Sequence, residues 1–112
     1  MDECTLKFKM RERGIDLVTA ETVEEKALLF DRALRMVIPP KDISDNVTFR
    51  NISNWLVQEC KNARFDEHSI FRRVLDFALE ASGPKSRVPA AVFMSILKKE
   101  LNYKPGSVKN GG

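Results

Sequence analysis

The chain has 112 residues, of which 43% are apolar and 31% are charged, and its formal net charge is +3 at pH 7. This length supports one domain with one hydrophobic core. No apolar run reaches the roughly 18 to 20 residues that a bilayer span requires, and the acidic start MDECTLKFK lacks the apolar centre of a signal peptide. These features argue against a membrane or secreted protein, and we expect a cytoplasmic, intracellular one.

The N-terminal segment has the alternating pattern of a half-buried strand. In residues 5–11 apolar and basic side chains alternate, as Leu6, Lys7, Phe8, Lys9, Met10 and Arg11. Gly14 then marks a turn, and residues 15–19 could form a second strand. We therefore expect a β-hairpin within residues 4–19, with a frayed helix as the alternative. A lone hairpin is marginally stable, so it would pack on helices or pair with a second copy as a homodimer.

Two helices are predicted in the middle of the chain. Thr22 and Glu25 match a capping box, and the apolar spacing after them predicts a helix that ends before Pro39 and Pro40. Its apolar face comprises Val23, Ala27, Leu28, Phe30, Leu34, Val37 and Ile38. The next helix is predicted to begin between residues 44 and 48. Its buried face comprises Phe49, Ile52, Trp55, Leu56, Cys60 and Ala63, with Trp55 as a core anchor.

Two further helices are predicted between residues 66 and 104. Asp66 can cap the first, and Phe65 with Ile70 forms a hydrophobic staple. Gly83 is expected to end this helix in a left-handed conformation, and Pro89 suits the first position of the next one. The two apolar stripes comprise Ile70, Phe71, Val74, Leu75, Ala78 and Leu79, then Val92, Phe93, Ile96, Leu97 and Leu101.

These elements predict a mainly α fold, a compact bundle of about four helices with an N-terminal β-hairpin as a further option. Residues 1–104 would form the single domain. Residues 105–112 are rich in glycine and lack apolar periodicity, so a disordered tail is expected.

The sequence offers little for catalysis, so we expect no enzyme, no cofactor and no metal. Cys4 and Cys60 stand far apart without metal-ligand spacing, and both are expected to be reduced and partly buried thiols. His68 follows two acids and is expected to be exposed. The run from Gly83 to Ser86 lacks the second glycine and the preceding strand of a phosphate-binding loop.

Basic residues are more frequent after residue 50, where ten Lys or Arg face six Asp or Glu. Lys85 and Arg87 precede the helix that starts at Pro89, and a helix N-terminus presents free backbone donors to an anion. This loop could form a phosphate cradle. Four further residues could widen it into a nucleic-acid-binding patch, namely Arg72, Arg73, Lys98 and Lys99. The alternative is that these charges form only a solvated surface.

A helix-turn-helix motif was considered for the short connection at residues 62–67. The helix after it would present Arg72 and Arg73, but it also carries Asp76 and Glu80, which would repel phosphates. Backbone contacts to nucleic acid are therefore favoured over base recognition.

The preferred function is a non-enzymatic nucleic-acid-binding or nucleoprotein-accessory domain. The run RVPAAVFMSILKKELNYKP, residues 87–105, resembles the short Pro-initiated helix near the ends of some plasmid and phage replication proteins. That resemblance covers under a fifth of the chain and implies a role in DNA replication of a mobile element. The alternative is a protein-interaction or dimerisation adaptor, with Met36, Phe77 and Met94 as candidates for exposed apolar surface.

Overall fold

Five α-helices follow one another in the part of the chain that the computed structural model describes, residues 2–83 and 87–104. They are α1 (Glu3–Glu12), α2 (Val23–Val37), α3 (Ile43–Lys61), α4 (Ile70–Ala81) and α5 (Pro89–Leu101). Within these ranges no β-strand occurs. The mainly helical, compact fold is confirmed, with one helix more than predicted. The expected tail at residues 105–112 lies outside the described residues.

The predicted N-terminal β-hairpin is wrong, because residues 3–12 form helix α1 instead. Asp2 caps this helix, because its Oδ1 accepts a hydrogen bond of 2.8 Å from the backbone N–H of Thr5. Leu6 is buried and Met10 is partly buried, whereas Phe8 is 62% exposed. Residues four apart in an alternating pattern also share one face of a helix, so the pattern fits both structures. The strand on which the predicted homodimer depended is absent from the described residues.

The capping box that starts α2 is confirmed. Thr22 Oγ1 accepts a hydrogen bond of 3.1 Å from the backbone N–H of Glu25. In return, Glu25 Oε2 accepts one of 3.2 Å from the backbone N–H of Glu21. Helix α2 ends at Val37, before the two prolines, as predicted. Leu28 was predicted to be buried and is instead exposed, because it lies on the outer face of the helix.

Helix α3 begins one residue before the predicted window, because Asp42 caps it and accepts a hydrogen bond of 3.0 Å from the backbone N–H of Asp45. At the other end the chain turns through Ala63, which has a left-handed φ of 59°. Ala63 N–H donates to Cys60 and Arg64 N–H donates to Glu59, which is the Schellman arrangement. Ala63, predicted to be buried, is therefore exposed beyond the helix end.

Helix α4 begins later than predicted, at Ile70. Asp66 instead closes the preceding turn, where its carboxylate accepts hydrogen bonds from His68 N–H at 3.1 Å and from Ser69 Oγ at 3.2 Å. The left-handed stop at Gly83 is also wrong, because Gly14 is the described glycine with positive φ. Pro89 begins α5 as predicted, but Val92, which was placed in its apolar stripe, is exposed.

Helix α2 packs against α1, α3 and α4, and α5 packs against α4. The core between them contains one fully buried phenylalanine from each of the last four helices, namely Phe30, Phe49, Phe71 and Phe93. A second aromatic group surrounds Trp55, whose ring centroid lies 5.5 Å from that of Phe65 and 4.7 Å from that of Tyr103. Trp55 is a core anchor, as predicted.

Candidate nucleic-acid interface

Arg72, one of the predicted phosphate contacts, is occupied by two carboxylates. Its Nη2 donates a hydrogen bond to Glu3 Oε1 of α1, and its Nε lies 3.9 Å from Asp76 Oδ1. The pKa of Glu3 is below its usual value. The largest cause is the hydrogen bond from Arg72, and the positive charge of Lys7 adds to it. The positive charge of Arg72 is therefore largely compensated within the protein.

The other predicted contacts that the structure describes, Arg73, Arg87, Lys98 and Lys99, are exposed but lie at different places on the α4–α5 pair. The Arg73 guanidinium carbon lies 5.5 Å from the ring centroid of Phe77. Arg87 precedes α5, whereas Lys98 and Lys99 lie in its last turn, about 15 Å away along the helix axis. Lys85 falls outside the described residues. The structure thus separates Arg87 from the two lysines.

The connection between α3 and α4 differs from that of a helix-turn-helix motif. It spans residues 62–69, eight positions, whereas that motif uses a turn of about three or four. Arg72 and Arg73 lie in the first turn of α4, and Asp76 follows within the next turn. The geometry at this connection therefore offers no recognition helix of that kind.

A different set of basic residues converges where α1 meets α2. The side chains of Lys9, Arg13, Arg32 and Arg35 line a shallow surface cavity of about 400 Å³ together with Met36 and Pro39. No acidic residue is among the described residues that line it. We call these four residues the α1–α2 basic cluster.

Arg35 differs from the other three members because it links α2 to α3. Its Nε lies 2.9 Å from Asp31 Oδ2, and its guanidinium donates to both the side-chain and the backbone oxygen of Asn46. The guanidinium carbon also lies 5.8 Å from the ring centroid of Phe49. Arg35 is therefore held in place by the protein itself, and it orders one wall of the cavity.

Lys9, Arg13 and Arg32 are exposed, and none has a carboxylate within 4.0 Å among the described residues. Three like charges that face one cavity repel one another, so their potentials add at that point of the surface. An anion placed there would relieve this repulsion. The arrangement is suited to a phosphate group.

The sequence contains part of the signal for this cluster. Lys9 and Arg13 are four residues apart, a spacing that places them on one face of a helix and equally on one face of a strand. Arg32 and Arg35 are three residues apart on α2, so they lie close together on its surface. That α1 and α2 lie side by side cannot be inferred from spacing.

The remaining reactive side chains do not form a second site in the described residues. Partial burial was expected of both thiols and is wrong for Cys4, which is an exposed free thiol. Cys60 is partly buried, and its pKa is raised to about 11 mainly by burial. His68 is exposed, as predicted. Among the described residues no three His, Cys, Asp or Glu side chains are grouped to hold a metal ion. No described helix combines the length and apolar character needed to cross a membrane.

The apolar residues proposed for a protein partner are not the exposed ones. Met36, Phe77 and Met94 are partly buried and pack against the core. The large apolar side chains that the described surface exposes are Phe8, Val18, Leu28, Ile43, Val47, Val88 and Val92.

No protein-family model, curated protein sequence or solved structure matches this chain. Its function must therefore be inferred from the residues described above.

Proposed function

We propose that this protein is a non-enzymatic nucleic-acid-binding domain that contacts the phosphate backbone through the α1–α2 basic cluster. The supporting observation is that Lys9, Arg13 and Arg32, from two helices, line one surface cavity without a carboxylate partner in the described residues. We further propose that it acts in the cytoplasm, as its composition favours.

The chemistry of the three side chains supports contacts to phosphate rather than to bases. Arginine offers several N–H donors to phosphate oxygens, and lysine adds a point charge. Lys9 and Arg13 are about 6 Å apart along α1, and Arg32 approaches from α2, so the three can surround one stretch of backbone. Contacts of this kind position a protein on nucleic acid but carry no sequence information. Binding should therefore depend weakly on sequence and strongly on salt.

The C-terminal residues predicted from the sequence form the competing surface. Arg87, Lys98 and Lys99 are exposed, and none has a carboxylate within 4.0 Å in the described part of the chain. Lys85 and Arg73 could add to that surface. A role in DNA replication of a mobile element is a finer proposal, and it depends on the resemblance of residues 87–105 alone.

Two charge-matched variants separate the surfaces. One carries Lys9→Glu, Arg13→Glu and Arg32→Glu, and the other carries Arg87→Glu, Lys98→Glu and Lys99→Glu, so each lowers the net charge by six. Binding to fluorescently labelled single-stranded and duplex DNA and RNA is measured by anisotropy, and circular dichroism verifies folding.

We expect the first variant to bind at least about tenfold more weakly than the second, since three phosphate contacts would become repulsive. A larger loss in the second variant would assign binding to the C-terminal surface. Failure of the wild-type protein to bind any of the four probes at low salt would refute the nucleic-acid function itself.

A second candidate function, a protein-interaction or dimerisation module, is supported by two apolar residues of α3. Ile43 is 81% exposed and Val47 is 52% exposed, and the two lie one turn apart on the same face. If this face mediates dimerisation, sedimentation equilibrium should find a dimer that persists at high salt and becomes monomeric in Ile43→Ser/Val47→Ser. A monomer at all concentrations would refute dimerisation through this face.

A further inference from the structure

A second described cavity lies on a different part of the molecule from the α1–α2 basic cluster. It has a volume of about 750 Å³ and lies between α1, residues 14–18 and α4. Its apolar walls include Leu6, Met10, Ile15, Leu17, Phe71 and Leu75. This volume is within the range of about 300 to 1,000 Å³ that small-molecule sites occupy. The size and walls of the cavity suit a ligand with an apolar body.

Lys26 of α2 also lines this cavity, and it is only 4% exposed. Its ammonium group donates a hydrogen bond to the backbone oxygen of Ala20. An ammonium has three N–H donors, so two remain without a protein acceptor in the described part of the chain. No carboxylate lies within 4.0 Å of Lys26 among the described residues. A buried charge without a counter-charge is unfavourable, and a bound anion would offset this cost.

The four described acidic residues that line the cavity make no ion pair with Lys26, and three of them contact other groups. Glu3 and Asp76 form ion pairs with Arg72. The carboxylate of Asp16 accepts a hydrogen bond of 2.9 Å from the backbone N–H of Val18. Glu67 lines the cavity as well but makes no ion pair with Lys26. The charge of Lys26 therefore remains available to a ligand.

We propose that this cavity binds a small amphipathic carboxylate, with its apolar chain against Leu6, Phe71 and Leu75 and its carboxylate hydrogen-bonded to Lys26 Nζ. A neutral ligand of the same shape would fill the apolar walls but leave the buried ammonium without a counter-charge. A cationic one would meet a like charge at low solvent exposure. The site should therefore bind the carboxylate most tightly, the neutral ligand less tightly and the cationic ligand most weakly. This activity is independent of nucleic-acid binding.

Three probes that share one alkyl chain test this selectivity, namely octanoate, 1-octanol and octylammonium. Isothermal titration calorimetry with the full chain measures each affinity below the concentration at which the probes form micelles. We expect octanoate to bind at least about tenfold more tightly than 1-octanol, because both can accept a hydrogen bond from Lys26 but only the carboxylate supplies a counter-charge. Octylammonium should bind most weakly. Equal affinities for octanoate and 1-octanol, or no binding of any probe, would overturn the proposal.

The variant Lys26→Met tests the assigned residue, because methionine keeps an apolar stem of similar length and removes the charge. We expect its octanoate affinity to fall to that for 1-octanol, while the affinity for 1-octanol changes less than about twofold. Lys98→Met, on the exposed end of α5, is the matched control and should bind like the wild type. Thermal unfolding verifies that both variants fold.

Amide chemical shifts locate the bound probe and keep the test decisive if Lys26→Met is unstable. Octanoate should shift the amide signals of Ile15, Leu17 and Leu75, which line the cavity. Shifts confined to Lys9 and Arg13 would mean that octanoate binds the α1–α2 basic cluster instead, and they would overturn the assignment. Unchanged preference for octanoate in a folded Lys26→Met would do the same.

Discussion

Replacing Arg35 with methionine removes the guanidinium that links α2 to α3. The variant loses the 2.9 Å contact to Asp31, the hydrogen bonds to Asn46 and the stacking on Phe49. The second carboxylate oxygen of Asp31, Oδ1, is already buried without a hydrogen-bond partner in the described part of the chain. After the substitution that carboxylate would have no compensating charge nearby.

The magnitude follows from the exposure of the two side chains, which is 26% for Arg35 and 23% for Asp31. Exposed ion pairs contribute about 0 to 1 kcal/mol, whereas removing one partner of a buried pair costs about 3 to 5 kcal/mol. A partly buried pair lies between these limits. We therefore expect Arg35→Met to lower the free energy of unfolding by about 2 kcal/mol.

Urea denaturation followed by circular dichroism measures this change. Arg50→Met is the control, since Arg50 is exposed on α3 and makes no ion pair among the described residues; it should alter stability by less than about 0.5 kcal/mol. The double variant Asp31→Asn/Arg35→Met should be less destabilised than the sum of its single changes. Additive single changes, or a loss for Arg35→Met no larger than the control, would refute the proposed link.

Four further predictions concern helix ends and thiols. Ala63→Gly should raise the free energy of unfolding by up to about 1 kcal/mol in urea titrations, because Ala63 has a left-handed φ of 59°, and a decrease would contradict this account. By the same assay, Thr22→Ala should lower the free energy of unfolding by about 1 kcal/mol. Ser69→Ala should lower it less, because Ser69 makes no capping hydrogen bond. Equal losses would contradict the assigned caps. Iodoacetamide at pH 8 should modify exposed Cys4 well before Cys60, because the pKa of Cys60 is raised to about 11. Mass spectrometry at timed intervals measures the two rates, and equal rates would contradict this prediction. Because the folded state keeps the Cys60 thiol neutral to higher pH than the unfolded chain does, stability should also fall as pH rises from about 9 to 11.

The parts of the fold that could be predicted from sequence are those set by local chemistry. Thr22 with Glu25 starts α2, and Pro89 starts α5, since each depends on groups a few residues away. Leu6 and Met10 show where local chemistry is insufficient, because their spacing fits a strand and a helix alike. Asp2 decides between the two, because its side chain caps α1.

The candidate sites depend on contacts that no local pattern reveals. Glu3 and Arg72 are 69 positions apart, so the sequence could not show that the predicted phosphate contact is already paired. Lysine is rarely buried, and spacing within α2 cannot show that Lys26 is buried or that it lines a cavity together with residues of α1 and α4. The α1–α2 basic cluster likewise requires two helices to be adjacent. Spacing within one helix could at most have suggested Lys9 with Arg13.

The most direct test of the proposed function is the salt dependence of nucleic-acid binding. Each phosphate neutralised on duplex DNA contributes a slope of about −0.9 to the plot of log affinity against log salt, so Lys9, Arg13 and Arg32 together predict about −2.7. The wild-type affinity should then fall about 40-fold between about 50 and 200 mM salt. The variant with all three residues changed to glutamine should bind more weakly with a slope near zero. A slope that is the same in wild type and variant would contradict binding through the α1–α2 basic cluster.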